Sequence, residues 1–87
     1  LLESREQYDL VLLDLFSQDG NPLLLFQAPI YQALARCLHG TLIVNLLPRT
    51  HLELAQAKRL AEEWIGPTSA HGVPGYRNVI LHATNLA

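Results

Sequence analysis

The 87-residue chain is predicted to fold as one α/β domain with the element order β-α-β-α-β-β. Three observations lead there. The run Tyr8-Asp9-Leu10-Val11-Leu12-Leu13-Asp14 is almost wholly apolar and lacks in/out alternation, the pattern of a parallel strand covered on both faces. A second run, Thr41-Leu42-Ile43-Val44-Asn45-Leu46-Leu47, is equally apolar, and a segment with helical spacing follows each of the two. A turn at Pro74-Gly75 then closes a hairpin. Two successive βαβ crossovers imply parallel strands with right-handed connections, and the hairpin reverses the last strand, so the sheet is mixed with that strand antiparallel.

Each element has its own signal. Residues 1–7 read as the tail of a helix that begins upstream, and residues 8–15 as the first strand. The loop 16–27 carries Asp19, Gly20, Asn21 and Pro22, residues that tight turns select for distinct backbone reasons. Pro29 suits a first helical turn, and Ile30, Leu34, Cys37 and Leu38 then share one face, with Gly40 in the terminating C′ position. Thr50-His51-Leu52-Glu53 is a capping box, in which the threonine accepts from a free N–H and the glutamate reaches back to the cap. That helix runs to Ile65, with Leu54, Ala57, Ala61, Trp64 and Ile65 facing inward, and stops at Gly66-Pro67. Residues 68–73 and 76–84 form the closing hairpin.

Composition narrows the function. With 49% hydrophobic residues the chain can bury a core, and one domain is the limit for its length. No apolar run approaches the ~20 residues that span a bilayer. The net charge of -2, with six scattered basic residues, gives no footprint for nucleic acid or an anionic membrane, and neither is expected as a partner. The single Cys37 excludes an internal disulfide and suits a reducing compartment, so a cytoplasmic location is expected. Cys37 lies on the apolar face of its helix and reads as a small core residue. His39, His51, His71 and His82 share no metal-ligand spacing, so no metal site is expected.

The first strand delivers Asp14 to its carboxyl end, where open α/β sheets place their ligands. The segment from Tyr8 to Asp14, followed by Gly20, Pro22 and Leu25-Phe26, resembles the polyamine aminopropyltransferases, the spermidine and spermine synthases. Asp14 matches the first motif aspartate, Gly20 the motif glycine and Leu25-Phe26 the Leu-Phe pair that leads into a helix, which here carries Tyr31. Ser17 stands where the family has its second aspartate, and Val73-Pro74-Gly75-Tyr76 replaces the family's Tyr-Pro-x-Gly turn.

The resemblance implies the C-terminal half of a Rossmann-like S-adenosylmethionine methyltransferase fold, whose cofactor-binding N-terminal half lies outside these residues. It also implies transfer of an aminopropyl group from decarboxylated S-adenosylmethionine to a small-molecule amine. Asp14 would be the candidate base, Ser17, Asp19 and Tyr76 would line the amine pocket, and Asp14 with Leu15 would meet the cofactor. The Gly-rich turn that holds such a nucleoside is missing from these residues, so no cofactor is expected to bind this chain alone. Two other readings stay open: a fragment of a methyltransferase using S-adenosylmethionine itself, and a non-catalytic interaction module. In the second, the apolar edge of the first strand recruits a copy of itself, giving a homodimer or a swapped assembly.

Overall fold

The computed structural model describes residues 6–15 and 20–85. Strand β1 (Tyr8–Leu13) is followed by a 3-10 turn at Leu23–Phe26, helix α1 (Ala28–Cys37), strand β2 (Leu38–Leu46), helix α2 (His51–Trp64), and the hairpin of β3 (Thr68–Gly72) and β4 (Val79–Thr84). The four strands form one mixed sheet in the order β1-β2-β4-β3. β1 runs parallel to β2, while β4 is antiparallel to both its neighbours, β2 and β3. The α/β class and the mixed sheet therefore agree with expectation.

Both helices pack on one face of this sheet. Leu42, Val44 and Leu46 of β2, with Leu81 and Ala83 of β4, join Leu34 of α1 and Ala57, Leu60 and Ala61 of α2 in a single buried core. Right-handed crossovers that step across the sheet in the same direction leave their helices on the same side. No element among the described residues covers the opposite face, which corrects the expectation that the first strand is covered on both faces. Leu10 and Leu12 remain 58% and 62% exposed. Cys37 lies in the core as its helical position predicts.

Gly40 does not cap α1. The helix ends at Cys37 and the chain enters β2 at once, three residues before the expected strand start. Gly40 instead sits where the β1/β2 register slips, since Tyr8 pairs with Leu38 but Leu10 with Thr41. Its φ is 153°, and a Cβ on it would strike the Asp9 carbonyl oxygen. Asn85 seals this bulge, its N–H donating to Gly40 O at 2.7 Å and its Nδ2 to Leu38 O at 2.6 Å. The bulge thus allows a close backbone approach that only glycine permits.

α2 starts as the capping box predicts. Thr50 Oγ1 accepts from the Glu53 N–H at 3.1 Å. Glu53 reaches one residue further back than expected, to the Arg49 N–H at 2.8 Å, and pairs with the Arg49 guanidinium at 3.1 Å. Leu60, not Trp64, completes the inner face, since Trp64 in the last turn is 37% exposed. The expected helix tail at residues 1–7 falls largely outside the described residues, and Glu6 and Gln7 are irregular. No helix among the described residues is long and apolar enough to cross a membrane.

Candidate functional site

The carboxyl ends of β1 and β2 bring Asp14, just past β1, beside Asn45 near the end of β2. Asn45 Nδ2 donates to Asp14 Oδ1 at 3.0 Å. Asn78, in the turn that leads into β4, donates from Nδ2 to Asn45 Oδ1 at 3.1 Å. An ionised carboxylate only accepts, so the Asn45 amide must present its nitrogen to Asp14 and its oxygen to Asn78. The three side chains thus form one directed row, Asn78 to Asn45 to Asp14, along the rim of the open face.

A second asparagine fixes the loop beneath the row. Asn21 accepts from the Leu47 N–H at 2.6 Å, and its Nδ2 donates to Leu15 O at 2.9 Å and to Asn45 O at 3.4 Å. The loop after β1 is in this way tied to the loop after β2, and the backbone on either side of Asp14 is anchored. Asp14 itself is exposed, and Oδ2 accepts no hydrogen bond from the described residues. The result is an oriented carboxylate on an exposed residue, whose second oxygen accepts no hydrogen bond from the described residues and which is able to hold an ammonium group or to take a proton from it.

The other predicted residues fare differently. Ser17 and Asp19 lie outside the described residues. Leu15 is exposed and contributes its carbonyl to Asn21. Tyr76 lies in the hairpin turn with its side chain 73% exposed and its N–H donating to Val73 O. Tyr31, in the helix that follows the Leu-Phe pair, is fully buried, and its hydroxyl donates to Leu25 O at 2.7 Å. Burial pushes that phenol well above the ordinary tyrosine value. Its role is to join α1 to the 3-10 turn.

No motif in the sequence marks Asn21, Asn45 and Asn78 as site residues. The only signal there is an asparagine at each strand end or turn, and the links span 31 and 33 residues of sequence. No three His, Cys, Asp or Glu side chains among the described residues are grouped to hold a metal ion. Comparison with protein-family models, with curated proteins and with solved structures finds no match.

Proposed function

We propose that this chain is the acceptor side of a spermidine synthase-like transferase, which moves an aminopropyl group from decarboxylated S-adenosylmethionine to an amine. The observation that carries the reading is Asp14: an exposed carboxylate at the end of a parallel strand, oriented by Asn45, with no hydrogen bond to its second oxygen from the described residues. A protonated amine must lose a proton before it attacks the carbon beside a sulfonium, and Asp14 Oδ2 both anchors the ammonium and accepts that proton. The sheet order, with a reversed strand inserted beside β2, supports a Rossmann-like methyltransferase fold.

The residues present do not fit the donor nucleoside. Gly40 and Gly66 are committed to close backbone contacts, with Asp9 and Thr84 respectively, and no Gly-rich turn remains. The donor is therefore assigned to no residue here, and this chain's contribution is confined to the amine.

The test is methylthioadenosine release by the full-length protein from decarboxylated S-adenosylmethionine and putrescine, wild type against Asp14→Asn. The expected result is turnover that falls about a hundredfold or more in the variant. Equal turnover by the variant, or wild-type methyl transfer from S-adenosylmethionine in its place, overturns the reading.

A second reading rests on a separate observation. The open face carries Leu10 and Leu12 on β1, which among the described residues is an edge strand of the sheet, so β1 offers apolar surface and a strand edge to a second copy of the chain. Self-association through β1 would suit an interaction module.

A further inference from the structure

Beside the amino end of α2 lies an open cleft of about 310 Å³, formed by segments well separated in sequence. The chain leaving β2 contributes Pro48 and Arg49, the first turn of α2 contributes His51 and Leu54, the approach to β4 contributes Arg77, and β4 itself contributes Val79. The β2/β4 register pairs Leu46 with Val79, which brings Arg77 across to the loop that carries Arg49.

We propose that this cleft binds a small oxyanion, a phosphate or carboxylate group, whose short apolar body rests on Pro48, Leu54 and Val79. The charge inventory favours an anion. Arg49 is partly neutralised by Glu53, which holds both its guanidinium and its backbone N–H. Arg77 is not neutralised: among the described residues it pairs with no carboxylate. His51 adds a third nitrogen-bearing side chain.

The backbone completes the set. Thr50 satisfies the N–H groups of Glu53 and Leu54, through its hydroxyl and its carbonyl, whereas those of His51 and Leu52 meet no acceptor among the described residues. These two donors lie in the first turn of a helix of 14 residues, whose dipole also favours negative charge. The cleft and the Arg77 guanidinium define the site, and the start of α2, which lines the cleft through Thr50 and His51, borders it. The volume is at the lower end of small-molecule sites, which suits a ligand of a few carbons bearing one oxyanion. Because both arginines are exposed, binding is weak and sensitive to salt. The site is independent of Asp14, whose carboxylate selects the opposite charge.

The experiment is an amide-resolved NMR titration of the 87-residue chain with inorganic phosphate and, separately, with butyrate, at constant ionic strength held by chloride. Saturable movement of the His51 and Leu52 amides is expected in at least one arm, and the tighter arm identifies the oxyanion. Arg77→Gln, an exposed change in the hairpin turn, is expected to weaken the apparent affinity about fivefold, with Lys58→Gln on α2 leaving it unchanged. Arg77→Lys should restore part of the loss. Linear, unsaturated shifts shared equally by Arg36, Lys58 and Arg59 overturn the proposal, as does an Arg77→Gln variant that binds like wild type.

Discussion

Single residues hold the β1/β2 junction and the core under narrow tolerances. At Gly40, an added methyl group meets the Asp9 carbonyl at a φ that L side chains avoid, so relief requires the bulge to open and Asn85 to lose its acceptors. Gly40→Ala is expected to destabilise the fold by about 2 kcal/mol or more. The readout is the midpoint of denaturant unfolding at unchanged slope. At Tyr31, removal of the hydroxyl leaves the Leu25 carbonyl without its side-chain partner, and Tyr31→Phe should cost about 1–2 kcal/mol by the same measurement. The pH dependence follows with a definite sign. The folded phenol titrates above its ordinary 10.0, so the folded state keeps a proton that the unfolded chain releases. This part of the stability is complete below pH 10 and declines as the pH rises beyond it. In Tyr31→Phe that part of the alkaline decline should disappear, and an unchanged alkaline profile would exclude Tyr31 as its source.

At the scale of elements, α2 is the most legible part of the chain, because its start is written in four consecutive residues whose bonds are local. Thr50→Ala removes the acceptor for the Glu53 N–H and should cost about 1 kcal/mol in thermal or denaturant unfolding. Glu53 extends the same cap. Its carboxyl is held below the ordinary 4.5 first by the Arg49 backbone N–H and then by the Arg49 guanidinium. The folded value is depressed, so this contribution is present above pH 4.5 and is lost as the pH falls through the folded value. Glu53→Gln should flatten the acid limb of stability, and an identical limb in the variant would show that the cap bond carries no charge-dependent part. The other elements were legible in type, less so in their limits. Gly40 has the look of a helix terminator, yet the steric demand it meets comes from Asp9, on a strand 31 positions earlier in the sequence. Trp64 continues the apolar period of α2, but Leu60 fills the space against the sheet and leaves the last turn partly in solvent. For the same reason Asp14 could be singled out by its place at a strand end, while Asn45 and Asn78, the residues that aim it, depend on pairings no local pattern encodes.

At the scale of the whole molecule, the two crossovers explain why the first strand misled. A continuous apolar strand implies cover on both faces only if helices pack on both, and here α1 and α2 share one. The open face presents Leu10, Leu12, Ile43 and Ile80 beside Thr41, Asn45, Thr84, Ser69, His71 and His82. With strands ~4.8 Å apart and same-face residues ~6.7 Å apart along a strand, these positions make roughly 300 Å² of open sheet, of which the four apolar positions make up less than half. Its most apolar part lies on β1, an edge strand among the described residues, so strand pairing and side-chain burial come together at the same place. The wild-type chain of 9.7 kDa is therefore expected to show a concentration-dependent rise in mass by light scattering. Leu12→Lys should suppress that rise, since a lysine on an edge strand opposes pairing and its charge faces the patch. Leu12 is already 62% exposed, so the substitution removes little buried surface, and the variant should keep its unfolding midpoint within about 1 kcal/mol of wild type. A variant that loses both mass and folding would trace the effect to stability, whereas a wild-type chain that stays monomeric at high concentration removes self-association from this face altogether.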